Sequence, residues 1–214
     1  AFHVFGVEFV PFCSRVFFRN EMNTLYASPE ELHDEELTML SQKIYDADSV
    51  EERVSLLDDF FMKRLAEFPE GDVNIERLND VFDDIVPTDG TTAQPPNSQE
   101  EFSPADLAST ACLSQKQFTR VFSEYVGMRP KAYLRLLRFH KALKELQNVG
   151  QGQSLTDVAW RCGYYDLPHM NTEFRQLCGF SPSEVVEKGA QLTETFHSGF
   201  SDRMKKKVLV ENLI

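Results

Sequence analysis

The sequence has only four cysteines, holds a single tryptophan and contains no long apolar run. Its four cysteines, Cys13, Cys112, Cys162 and Cys178, fall in no metal-ligand spacing and no disulfide framework, so neither a zinc cluster nor a stapled scaffold is expected. They read as small core or turn residues. No stretch approaches a membrane span or a signal peptide, and a cytoplasmic location is expected. Chemistry is missing too. No nucleophile is patterned with a base, no glycine loop is spaced to cradle phosphate, and no carboxylate pair has a reason to be catalytic. The chain does not read as an enzyme, and no cofactor or metal is expected. His3 and His33 find no support as ligands, and Trp160 is expected in the core.

Basic residues are scarce, 22 Lys+Arg against 34 Asp+Glu for a net charge of −12. The scarcity is local. From Ser103 onward there are 15 basic and 11 acidic residues, whereas the first 102 residues hold 7 basic and 23 acidic. The half from Ser103 is mildly basic, as a phosphate-contacting surface requires. Most of the upstream acid reads as a solvated face.

Within that basic half the chain says the same thing twice. Asp106, Leu107, Ala108, Cys112 and Leu113 align with Asp157, Val158, Ala159, Gly163 and Tyr164 at an offset of 51. Phe122, Gly127 and Pro130 align with Phe174, Gly179 and Pro182 at an offset of 52, one residue having been added in the turn Tyr164-Tyr165-Asp166. Internal repetition means a repeated supersecondary unit. Each copy predicts helix, tight turn, helix. In the first, Ser103 caps with Asp106 at the third helical position and Pro104 at the first. The helix runs to about Thr110, Ala111-Cys112-Leu113 turns, and Ser114 with Gln117 forms a capping box. Phe118, Val121, Phe122 and Tyr125 then share one face, and Gly127 ends the helix. In the second, Ser154 caps with Asp157, Gly163 turns, and Asp166 caps a helix with Met170, Phe174 and Leu177 inward. Gly179 ends it, and Ser181 to Glu184 opens one more helix. Between the copies, Lys131 to Gln147 carries Ala132, Leu136, Phe139, Leu143 and Leu146 with Tyr133, Leu134 and Leu137 beside them. That wide apolar surface predicts a buried linker helix.

Two short helices joined by a tight turn are a helix-turn-helix, whose second helix enters the major groove. The outward face of the first such helix carries Gln115, Lys116, Gln117, Thr119 and Arg120 after the cap Ser114. Arg and Lys suit guanine O6/N7, and Gln suits adenine N6/N7. The second carries Leu167, Pro168, His169, Asn171, Thr172 and Arg175; it is less basic, and Asn171 suits adenine. The first copy is expected to dominate affinity and the second to tune specificity or orientation.

These residues carry a resemblance. The stretch Ser103–Glu187 resembles the C-terminal DNA-binding domain of the AraC/XylS family of bacterial transcription regulators. It does so through Asp106-Leu107-Ala108, Leu113-Ser114, Arg120-Val121-Phe122, Gly127-Met128, Arg138-Phe139, Val158-Ala159, Gly163-Tyr164, Phe174-Arg175 and, most specifically, Gly179 to Glu184. The resemblance implies two helix-turn-helix units on a connecting helix, reading adjacent major-groove segments of double-stranded promoter DNA. It further implies RNA polymerase, a small-molecule effector at the N-terminal region and a second copy of the chain as partners. Two positions depart from the pattern. Cys112 stands where glycine is usual; a positive φ there would cost strain, so a slightly remodelled turn is expected. Thr172 stands where arginine is usual, which lowers the contact expected of that helix. The competing reading is a helical protein-interaction module that kept the fold without DNA affinity.

Upstream, Ala1 to Val10 and Cys13 to Phe18 are two β-prone runs. Two strands are not stable alone, so the chain is expected to continue a longer one with a sensory β domain, Val4–Pro11 being similar to the closing strands of a cupin-like effector domain. Residues 28–68 predict a helical hairpin, begun by Ser28-Pro29-Glu30-Glu31. Leu32, Met39, Leu40 and Ile44 face inward, Asp46-Ala47-Asp48 breaks the helix, and Ser49 caps a second with Val54, Leu57, Phe60, Phe61 and Leu65 inward. Packing on its own β domain and service as a dimerisation arm are both compatible with this pattern. Phe68-Pro69-Glu70-Gly71 marks the boundary between a partial sensory and dimerisation region, 1–68, and a DNA-binding domain, 72–188, which opens with a helix from Asn74 to Val86. Pro87 to Glu101 reads as a loop. The tail 189–214 is weakly patterned, its Lys205-Lys206-Lys207 reading as a solvated run. The fold class expected is mainly α: two helix-turn-helix units on a linker helix, preceded by a small β segment and a helical hairpin.

Overall fold

The structure is a computed structural model that describes residues 7, 9–18, 22, 34–69, 71–85, 102–147 and 154–188. The first β-prone run for the most part, the helix start at Ser28, Leu32, the Pro87–Glu101 loop, His3, His33 and the tail from Gly189 lie outside them. The described elements are helices: α1 (Ser14–Phe17), α2 (Glu35–Asp46), α3 (Val50–Glu67), α4 (Val73–Ile85), α5 (Pro104–Thr110), α6 (Gln115–Val126), α7 (Pro130–Gln147), α8 (Leu155–Arg161), α9 (Leu167–Cys178) and α10 (Pro182–Lys188). The chain divides into two compact units, residues 1–80 with 110–129 and residues 81–109 with 130–214.

In the first unit, α2 and α3 pack as the expected hairpin, and α1 packs on α3 and α6. Asp34 caps α2 by accepting from the amides of Glu36 and Leu37, and Ser49 caps α3 by accepting from Glu52. The break at Ala47 is tied down by Arg53, which donates to the carbonyls of Ile44 and Ala47 at 3.1 and 2.8 Å. Arg64, only 4% exposed, joins the hairpin from inside through Asp34 and Glu36, both at 2.7 Å. Burial raises the Asp34 carboxyl, but the Leu37 amide and Arg64 outweigh it and hold the group below its ordinary range.

Two expectations here are corrected. The run Cys13–Phe18 contains helix α1 rather than a strand. Val16, Phe17 and Phe18 favour strands intrinsically, but tertiary packing overrides propensity: Phe17 and Phe18 pack around Phe9, with ring centroids 5.1 and 5.7 Å away, and Phe17 meets Phe61 at 5.0 Å. Met39 and Val54, expected inward, are exposed; the hairpin is thin, and Leu40 fills the inward position of α2.

In the second unit the linker helix α7 is the organising element. Phe139, Ala142, Leu143 and Leu146 form one core with Val158, Ala159 and Cys162 of α8, Tyr164 of the turn, Met170 and Phe174 of α9, and Val185 of α10. The rings of Phe139 and Phe174 meet at 4.7 Å, tilted by 59° to one another. Earlier along α7, Tyr133 meets Phe82 of α4 at 5.4 Å, so α7 is buried against more than one neighbour, as its apolar breadth implied. Trp160 is 72% exposed, not core. Val158 and Ala159 take the inward positions of a helix only seven residues long, and its C-cap Cys162 joins them in the core, which leaves the indole on the solvent side. Leu177 is exposed and Leu167 half-buried against the core, the reverse of their expected placement. Ala132 is likewise exposed.

Candidate nucleic-acid interface

The two copies predicted by the repeat are present with matched boundaries. Helices α5 and α8 each span seven residues and start 51 apart. Helices α6 and α9 each span twelve and start 52 apart. Their ends are set by the same local chemistry. Ser103 donates from its amide and hydroxyl to the Asp106 carboxylate, both at 2.7 Å, and the hydroxyl bond first, then the amide, holds that carboxyl below its ordinary value. Ser154 and Asp157 form the matching box in the second copy. At the C-termini, Gly127 (φ 87°) and Gly179 (φ 80°) take the left-handed conformation and donate back to Ser123 and Arg175. A β-carbon disfavours that conformation, which is why glycine stands at both stops.

The turns differ. The second passes through Gly163 at φ 80°, whereas the first puts an exposed Cys112 at φ 52°, a rare conformation for a residue with a β-carbon. The remodelling expected of that turn is therefore not seen: the backbone stays left-handed at Cys112 despite the missing glycine.

On α6, Phe118, Val121, Phe122, Tyr125 and Val126 are buried. Gln115, Lys116, Gln117 and Arg120 are exposed and Thr119 is half-buried, so the expected reading residues share the outer surface. Two are already engaged. The Gln117 carboxamide oxygen accepts from the Ser114 hydroxyl at 2.7 Å and its amide at 3.2 Å, and the Thr119 hydroxyl donates to the Gln115 carbonyl at 2.8 Å.

On α9, Met170, Glu173 and Phe174 are buried. Pro168, Thr172 and Arg175 are exposed, while His169 and Asn171 are half-buried. Asp166 caps the helix by accepting from the His169 amide at 2.7 Å. The His169 ring is drawn inward: Nδ1 accepts from the Tyr165 amide at 3.4 Å, and Nε2 lies 3.8 Å from Glu173 Oε1. Thr172 returns its hydroxyl to the Pro168 carbonyl at 3.0 Å.

Some residues of this region were not legible beforehand. Tyr165, just before the α9 cap, is 86% exposed. Arg135 of α7 binds α9 through Glu173 and Gln176. Among the described residues no group of His, Cys, Asp or Glu is placed to hold a metal, and no described helix is long and apolar enough to cross a membrane.

This architecture, a paired helix, turn and capped helix repeated on a linker, defines a protein of the double helix-turn-helix class. Comparison with known proteins shows what this part of the chain is similar to. Residues 107–188 match the family model described as a helix-turn-helix domain. The chain is 36% identical over 86 residues to the HTH-type transcriptional activator RhaS of Enterobacter sp. (strain 638), covering 40% of this chain and 30% of that protein. It is 27% identical over 88 residues to the HTH-type transcriptional regulator ArgR of Pseudomonas aeruginosa, covering 41% and 26%. Among solved structures it is similar to a transcriptional regulator of the AraC-type DNA-binding-domain proteins from Chromobacterium violaceum, with 24% identity, a TM-score of 0.44, and coverage of 55% of this chain and 95% of that one. The match thus spans less than a third of these curated relatives' length. The chain is thus similar, over about 40% of its length, to HTH-type transcriptional regulators.

Proposed function

We propose that the protein is a sequence-specific DNA-binding transcription regulator in which α6 and α9 each read a major-groove segment. The observation that supports this most is the matched pair of twelve-residue helices, each capped at both ends and following a seven-residue helix. The reading residues are Ser114, Gln115, Lys116, Gln117, Thr119 and Arg120 on the first helix, and Pro168, His169, Asn171, Thr172 and Arg175 on the second. Arg120 and Lys116 supply guanine or phosphate contact, and Asn171 suits adenine. The DNA-binding domain spans 72–188, the region 1–68 serves sensing and dimerisation, and 189–214 is a tail. Bacterial cytoplasm, a homodimeric state, a small-molecule effector acting on the N-terminal region, and contact with RNA polymerase complete the reading.

Selection of the full chain on random duplex DNA tests it. The expected result is enrichment of two short motifs about one helical turn (~10 bp) apart, bound with an affinity that falls steeply with salt. A chain that enriches no sequence and binds only weakly at low salt contradicts the reading and favours a protein-interaction module.

A further inference from the structure

Most of the buried surface of α9 is apolar, with one exception. Glu173 is 6% exposed. Its Oε1 accepts from Arg135 Nε of the linker helix at 2.7 Å, and its Oε2 is buried with no hydrogen-bond partner among the described residues. The same guanidinium donates through Nη2 to Gln176 Oε1 at 2.9 Å. His169 approaches Glu173 Oε1 from the preceding turn. As a device for stability alone this is a poor choice. Glu173 is buried although Arg135 is 35% exposed, and an ion pair that desolvates its carboxylate is often no more stable than apolar residues of equal volume, while an unpaired buried oxygen costs free energy.

Geometry explains what an apolar pair could not supply. Leucine packing tolerates small rotations of a helix about its axis, whereas a rigid planar fork bonding two acceptors one turn apart does not. Glu173 and Gln176 are that pair of acceptors. With about 100° between successive residues, Asn171 and Arg175 lie about 160° around α9 from Glu173, Thr172 lies about 100° away, and His169 only about 40°. Fixing Glu173 against α7 therefore fixes the direction in which Asn171 and Arg175 point. It also accounts for the inward set of the His169 ring.

We infer that Arg135 is a positioning residue for sequence reading: its fork to Glu173 and Gln176 sets the rotation of α9, and with it the base preference of the second recognition helix. The inference rests on the DNA-reading function proposed above and deepens it. Because Thr172 is already bonded to its own helix, the second helix has few reading groups, and their direction matters correspondingly more.

The test uses the full chain and the duplex enriched by the wild type, with either motif scrambled in turn. The double variant Arg135→Met/Glu173→Leu replaces the clamp by apolar volume. It is expected to melt at or above the wild-type temperature yet lose about tenfold in discrimination at the motif read by α9, with the other motif unaffected. Arg135→Lys, at a half-exposed position that tolerates the change, keeps the charge but not the fork, and is expected to lose about threefold to tenfold at the same motif only. Unchanged discrimination in Arg135→Lys, or equal loss at both motifs in either variant, overturns the inference. A wild type that discriminates neither motif refutes instead the DNA reading beneath it.

Discussion

At the scale of single residues, Cys112 is the place where the chain departs from what its backbone asks for. A residue with a β-carbon at φ 52° bears a strain of about 1–2 kcal/mol, which glycine would relieve while losing about 0.5–1 kcal/mol of chain entropy. Cys112→Gly is therefore expected to raise stability by about 0.5–1 kcal/mol in urea denaturation; a loss of stability would mean that the thiol packs in a way its exposure does not suggest. Residue identity alone misleads in the opposite sense at Trp160. A large indole suggests a core position, but tryptophan is seldom fully buried, and Val158 and Ala159 with the C-cap Cys162 already fill that role. What a residue is chosen for depends on its angular position, and on a helix of seven residues there is little room for a second opinion.

At the scale of elements, the helix ends were the most legible feature. Caps are local: Ser114 and Gln117, Ser154 and Asp157, Ser181 and Glu184 each lie within one turn and bond as their sequence spacing implied. Contacts that join elements were not legible. Arg135 and Glu173 are 38 residues apart, and Tyr125 and Asp72 are 53 apart; no local pattern links them. Only the presence of a carboxylate on the flank of an apolar stripe could have announced that Glu173 needs a partner. The short α1 was missed for the same reason, since its helix is stabilised by rings contributed from elsewhere in the first unit.

Tyr125 makes the consequence measurable. Its hydroxyl on the inner side of α6 donates to the Asp72 carboxylate at 2.5 Å, just ahead of α4, and Arg15 of α1 lies over the ring while bonding Glu124 at 3.4 Å. Burial first, and the Asp72 bond second, push the phenol from its ordinary 10.0 up to about 12. The phenol is thus held protonated in the folded state. Its contribution is complete below pH 10.0 and is lost as pH rises toward about 12, because the unfolded chain ionises first. Tyr125→Phe should cost about 1–2 kcal/mol at neutral pH and flatten the alkaline limb of a stability–pH profile. An unaltered limb would show that another group governs it.

At the scale of the whole molecule, the division of charge and the repetition of the helix pair belong to one design. The acid sits in the first 102 residues, away in sequence from the groups that would meet phosphate, so overall negative charge does not argue against a nucleic-acid surface. The repeat gives two capped helices, α6 and α9, whose outward faces differ in chemistry. The first is polar and basic through Gln115, Lys116 and Arg120, and the second is sparse, with Asn171 and Arg175 its main donors. On the proposed reading, two helices of unequal strength predict a site in which one motif carries affinity and the other refines it.

The most direct test of this account compares Arg120→Ala and Arg175→Ala on the enriched duplex, each with either motif scrambled. Arg120→Ala is expected to weaken binding by about 1–3 kcal/mol and to abolish preference at one motif alone, and Arg175→Ala to do the same at the other. Weakening that is uniform across all duplexes for both variants, or absent from both, would contradict a protein that reads DNA with two helices.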